Sequence, residues 1–165
     1  MICLSKIALL SFVLVFLSID MIYAQKKDEI IITGEFTWND WQAKSGWDLS
    51  QTVTYTPSDS IIKLLKNNLS EGEFAFILFG GSWCGDSKSE MPKIMAVIKS
   101  LGFENKVKIL GVDRDKYEPS FTAKRLNIKK VPTLILTYNG EEMSRIVEFP
   151  REGSSWETDL LSIFQ

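Results

Sequence analysis

Residues 74–87 read Phe-Ala-Phe-Ile-Leu-Phe-Gly-Gly-Ser-Trp-Cys-Gly-Asp-Ser. The opening apolar run, rich in residues that favour β structure, predicts a buried strand. Gly80 and Gly81 break the run, and Trp83 then introduces Cys84. Past Ser87 the pattern becomes helical, with Met91, Ile94, Met95, Val97, Ile98 and Leu101 recurring on one face. Cys84 is therefore expected on the turn between the carboxyl end of a strand and the amino end of a helix. Unpaired N–H groups and the helix dipole at such a turn favour an anion, so a thiol there passes readily to its reactive thiolate. Ser87 stands where a second cysteine would complete a Cys-x-x-Cys pair.

Outward from this stretch the chain alternates between strand and helix signals. Upstream, Pro57-Ser58-Asp59-Ser60 offers helix-capping residues ahead of Ile61, Ile62, Leu64 and Leu65. Before that, Ile30 to Tyr55 carries Phe36, Trp38, Trp41 and Trp47 with no steady period. This segment is expected to be an irregular wrap with one or two short strands, its aromatics covering the core. Downstream, Pro92 should bend the helix that follows Cys84, and Gly102 should end it. Val107 to Val112 predicts another strand. Pro119, Phe121, Ala123 and Leu126 predict a short helix. Leu134 to Tyr138, the Asn139-Gly140 dipeptide and a return strand near 142–148 predict a hairpin. Ser154 with Glu157 predicts a capping box before a last helix bearing Trp156, Leu160 and Leu161. The order implies parallel strands in a βαβ unit, then an antiparallel hairpin backed by a helix.

Composition narrows the chemistry. The 165 residues carry 19 Lys and Arg against 21 Asp and Glu, and no histidine. No basic stripe supports nucleic-acid binding. Without histidine, Ser-His and Cys-His catalysis are excluded, and two cysteines leave no set of ligands for a metal. Residues 1–24 have the pattern of a signal peptide: Lys6, an apolar core from Ile7 to Leu17, and Ala24 before the expected cut. That core is too short to span a bilayer comfortably. The expectation is an exported protein, periplasmic or extracellular, with no stable membrane span after cleavage; an uncleaved anchor is the alternative. Cleavage would remove Cys3, leave Cys84 as the one cysteine of residues 25–165, and preclude an internal disulfide.

Trp83-Cys84-Gly85 at a strand-to-helix turn, Pro92 in the helix, and Val131-Pro132-Thr133 before a strand with an Asn-Gly turn together resemble the thioredoxin family over roughly residues 58–165. The resemblance implies an α/β thioredoxin fold, a mixed central sheet flanked by helices. Residues 25–57 would form an aromatic-rich amino-terminal extension. It further implies a cis peptide at Pro132 and substrate docking along the backbone of Val131, Pro132 and Thr133. The departures are specific. Ser87 replaces the resolving cysteine, Asp86 the usual intervening proline, and Leu78 a buried acid. Glu148 falls at the offset of a small residue beside the site, where it could serve as a local carboxylate.

One thiolate can attack a disulfide and form a mixed disulfide, but it cannot release itself by internal bridging. Turnover would then need an external thiol reductant. Monothiol thiol–disulfide exchange of the isomerase or deglutathionylation type, on protein or small-molecule disulfides and without a cofactor, fits these residues. Ser87 is expected to donate a hydrogen bond to the thiolate, and the charge of Asp86 to oppose it. Trp83 and Gly85 support the turn. Two other readings stand: a redox-inactive thioredoxin-fold binding module or chaperone, and a Cys84-linked dimer.

Overall fold

The computed structural model describes residues 29–50 and 54–165. The expected signal peptide and Cys3 lie outside the described residues. The elements are β1 (Gly34–Phe36), α1 (Trp38–Lys44), α2 (Asp59–Asn68), β2 (Phe74–Gly80), α3 (Gly85–Leu101), a 3-10 turn (Glu104–Lys106), β3 (Val107–Gly111), α4 (Thr122–Arg125), β4 (Thr133–Tyr138), β5 (Glu141–Val147) and α5 (Trp156–Ser162). They form a five-stranded mixed sheet in the order β1-β3-β2-β4-β5, with β2 and β3 parallel and the other neighbours antiparallel.

Strand alternation sorts the core into two layers. Phe74, Phe76 and Leu78 of β2 point to one face, with Leu134 and Leu136 of β4. There they meet Ile62 and Leu65 of α2, Ile94 and Ile98 of α3, and Trp156 and Leu160 of α5. Ile77 and Phe79 point to the other face and join Leu110, Ala123, Ile128, Val131 and Ile135. Trp83 and Cys84 pack against this second, smaller cluster. The site thus sits where β2 ends, on the more thinly covered face.

The amino-terminal segment is more ordered than an irregular wrap. Thr37 accepts the Asp40 N–H and starts α1, and β1 pairs antiparallel with β3 at the sheet edge. The expectation that its aromatics cover the core is met by Trp41, which is fully buried and packs edge-on to Phe36 and Trp47.

Two caps differ from the sequence reading. Ser155, not Ser154, caps α5 by accepting the Thr158 N–H. Glu157 turns instead to the extension, accepting from Tyr55 Oη at 2.5 Å and from the Ser58 N–H at 3.1 Å. Pro119 precedes α4 rather than opening it. Phe121 caps that helix at φ +56° and is exposed, while buried Glu118 accepts the N–H groups of Ser120 before it and of Ala123 within the helix. The hairpin forms as expected, with Asn139 and Gly140 both at positive φ as a two-residue turn of this kind requires.

The Tyr55–Glu157 contact makes a pH prediction. Burial, then the hydrogen bond and charge of Glu157, push Tyr55 from 10.0 up to about 12. Burial alone would raise Glu157, but hydrogen bonds from Tyr55, from its own backbone and from Ser58 outweigh it and hold the carboxyl below its ordinary 4.5. A raised folded value stabilises below the unfolded value and is lost as pH rises through the folded one. A lowered value does the reverse. Tyr55→Phe should therefore cost about 1.5 kcal/mol at neutral pH, the low end for a bond to a charged group because the tyrosine is only half-buried. The gap between wild type and variant, from urea unfolding, should stay level at mid pH. It should narrow below 4.5 as Glu157 protonates and above 10.0 as Tyr55 ionises. A gap that tracks neither limb would remove the ionic character assigned to the contact.

Candidate active site

Cys84 is the N-cap of α3, at φ −95° and ψ 124°. Its N–H bonds the Gly81 carbonyl at 2.9 Å, and its carbonyl accepts the Lys88 N–H at 3.0 Å, so the cysteine backbone is fixed on both sides. The thiol is half-buried and donates to the Val131 carbonyl at 3.3 Å. The Val131–Pro132 peptide is cis.

Ser87 has a different task from the one expected. It is wholly buried, and its Oγ accepts the Gly81 N–H at 3.1 Å. The helix thereby holds the loop that carries Cys84. The thiol's bond goes to Val131, and Ser87 acts on the loop backbone.

Trp83 packs on the glycine two residues before it: a Cβ at Gly81 would fall 2.7 Å from the indole ring. Its Nε1–H donates to the Val112 carbonyl at 2.8 Å. Arg114 and Lys116, from the loop after β3, place their cations 4.9 and 5.2 Å from its ring centroid. Gly85, open and exposed, begins the helix.

The proline loop is braced from within. Thr133 Oγ1 donates to the Lys130 carbonyl at 2.8 Å, and the Glu148 N–H donates to the Pro132 carbonyl at 2.7 Å. Thr133 is buried and in register with Phe79 and Val147 on its two flanking strands. It braces the loop from inside the sheet, while the Val131 carbonyl faces the thiol. Glu148 stands just past β5 at φ +62°. Its carboxylate pairs with Lys130 Nζ at 2.6 Å. This hydrogen bond first, then the Glu148 charge and the nearby Asp86 charge, raise Lys130 above its ordinary range. Glu148 is thus committed to a cation.

Leu78 is fully buried between Ile109 and Leu134. Among the described residues no group of three or more His, Cys, Asp or Glu side chains converges as a metal site would require. Sequence reasoning overlooked Lys130, Arg114 and Lys116. Lys130 was findable, since it directly precedes Val131-Pro132. The other two reach Trp83 only through the pairing of β2 with β3.

Cys84, the one cysteine among the described residues, stands at a strand-to-helix turn beside the cis-proline loop that leads into the neighbouring strand, a thioredoxin-type arrangement. The family model and the sequence relatives agree. The family model described as Thioredoxin matches residues 60–158. The thioredoxin of Staphylococcus haemolyticus is 31% identical over 99 residues, covering 56% of this chain and 89% of that protein. The thioredoxin of Rickettsia typhi is 33% identical over 78 residues, covering 47% of this chain and 70% of that protein. Among solved structures, mitochondrial thioredoxin 3 from Saccharomyces cerevisiae in its oxidised form is 23% identical, covers 52% of this chain and 76% of its own, and has a TM-score of 0.35. The chain belongs to the thioredoxin family, which supports function of the thiol–disulfide oxidoreductase type. Among the described residues no helix is long and apolar enough to cross a membrane.

Proposed function

We propose that this protein is an exported monothiol thiol–disulfide exchange protein working through Cys84. The observation that carries the reading is the half-exposed Cys84 thiol at the start of α3, 3.3 Å from the Val131 carbonyl. In the first step the thiolate attacks one sulfur of a substrate disulfide. The substrate S–S bond breaks, a Cys84–substrate S–S bond forms, and the departing sulfur leaves as a thiolate that takes up a proton. In the second step a thiolate of the substrate itself attacks the substrate sulfur of the mixed disulfide and Cys84 leaves as thiolate, which is isomerisation. Alternatively a thiolate of an external reductant attacks the Cys84 sulfur and the substrate leaves as thiolate; a second reductant thiolate then displaces Cys84 and forms the reductant's own disulfide, which is net reduction.

Losing its proton also ends the thiol's donation to Val131, so that carbonyl becomes free to accept a backbone N–H from an extended substrate strand. Val131 and Pro132 would supply the ledge, while Trp83 would close the opposite side.

Export rests on the pattern of residues 1–24, with a periplasmic or extracellular destination. Expression in an exporting host should yield a chain that starts at Gln25 by mass.

Cys84→Ser should abolish adduct formation. The purified protein incubated with glutathione disulfide, and separately with a disulfide-bonded peptide, should gain one mixed disulfide, trapped by acid quenching and removed by added thiol. Absence of any adduct on the wild-type protein would favour a redox-inactive binding module. A Cys84-linked dimer on non-reducing electrophoresis as the sole product would overturn exchange with substrates.

A further inference from the structure

The segment before residue 60 lies outside the matched family region, yet it grips the residue two before the cysteine. Ser82 Oγ donates to the Ile30 carbonyl at 2.6 Å and accepts the Ile32 N–H at 3.1 Å, while the Ser82 carbonyl accepts Trp47 Nε1–H at 2.6 Å. Ser82 is 8% exposed, so these partners replace water. The same segment reaches the other flank, where Glu29 pairs with Arg114, the guanidinium stacked over Trp83. The loop's other ties run locally from Gly81 to Ser87 and from Cys84 to Gly81, and at longer range from Trp83 to the Val112 carbonyl and from the Cys84 thiol to Val131.

We infer that residues 29–47 are a built-in clamp on the active-site loop, with Ser82 and Trp47 as positioning residues for Cys84, an inference that rests on the reading of Cys84 given above. Attack on a disulfide demands that the incoming sulfur lie in line with the S–S bond of a substrate docked on the proline loop. A misplacement of about 1 Å can cost about a hundredfold in such a reaction. A small alkylating agent needs no docking and tolerates a looser loop.

The test uses the chain from Gln25 with Ser82→Ala and Trp47→Phe. Rates of Cys84 with a peptide holding one internal disulfide and with iodoacetamide are compared, together with amide hydrogen exchange. In both variants the peptide rate should fall about tenfold while the iodoacetamide rate stays within about twofold, since only docking geometry has been relaxed. The Gly81 and Cys84 amides should exchange at least about tenfold faster, with the β4–β5 hairpin amides unchanged. Equal falls in both rates, a peptide rate that does not move, or loss of folded protein in both variants would each overturn the clamp. If wild type forms no mixed disulfide, the exchange reading fails by itself, and the amides of Gly81 and Cys84 still decide whether the clamp exists.

Discussion

Ser87→Cys should enable the protein to clear its own mixed disulfide without an external thiol. Position 87 lies one turn along α3 from Cys84, and side chains three apart on a helix begin about 5–6 Å apart at Cβ. That is within reach of a disulfide after small adjustment. In the wild type, Ser87 Oγ already points into the loop and receives the Gly81 N–H at 3.1 Å. A sulfur placed there inherits a direction toward the residues that carry Cys84. Once Cys84 is joined to a substrate, the thiolate introduced at position 87 can attack the Cys84 sulfur. A bridge then forms between positions 84 and 87, and the substrate is expelled as a thiol. Well-oriented intramolecular reactions reach effective molarities of about 10⁵ M and above, so release should be faster by about a hundredfold or more than with millimolar external thiol. The substitution exchanges one hydrogen bond to Gly81 for a weaker one to sulfur, at a cost of about 1 kcal/mol. Acid-quenched time courses on non-reducing gels, starting from a preformed mixed disulfide, measure the release directly. An adduct on the variant as long-lived as that on wild type would show that position 87 does not address the Cys84 sulfur, and that the serine acts through Gly81 alone.

Much of this site was readable because it is written in local patterns. The Phe74–Gly80 strand, the helix after Cys84 and the Asn139-Gly140 hairpin each announce themselves by periodicity or turn chemistry over a few residues, whereas the proline loop was legible only through the family resemblance. Contacts spanning the chain were not readable. Nothing in residues 30–32 signals that their backbone will meet Ser82, some fifty positions on. Helix α1 has seven residues and buries only Trp41, too little repetition for a helical period to show. Ser87 illustrates a subtler gap. Its spacing from Cys84 was visible, but its hydrogen-bond partner depends on where the loop places Gly81. Glu148 is similar: its offset brought it to the proline loop through its backbone, and Lys130 then claimed its carboxylate.

Trp41→Ala should be the most destabilising single change in the extension, costing about 3–5 kcal/mol, the range for removing a large buried aromatic. The reason lies in two glycines. Gly80 and Gly111 are paired where β2 and β3 end, and the indole lies across both. A Cβ at Gly80 would come within 3.2 Å of Trp41 Cη2, and one at Gly111 within 3.1 Å of Cζ3. Such a Cβ would also collide with Met91 Sδ at Gly80 and fall 2.7 Å from the Ile32 carbonyl at Gly111, so these two strand positions carry no side chain that could refill the cavity when the ring leaves. Phe36 and Trp47, edge-on to it at 5.7 and 5.3 Å, would lose their packing partner as well. Trp41 Nε1 is buried with no hydrogen-bond partner among the described residues, a penalty of about 1–3 kcal/mol that the packing of the ring must exceed. Trp41→Phe removes this donor while keeping an aromatic ring, and should therefore cost much less than the alanine change. Urea unfolding of both variants decides the matter: a loss under about 1 kcal/mol for alanine would mean that the extension is an appendage on a self-sufficient domain. The expected loss would mean that β1 and α1 belong to the fold itself. It would also loosen the ends of β2 and β3, from which the loops bearing Cys84 and Arg114 spring, so stability and the rate with a docked disulfide peptide should decline together.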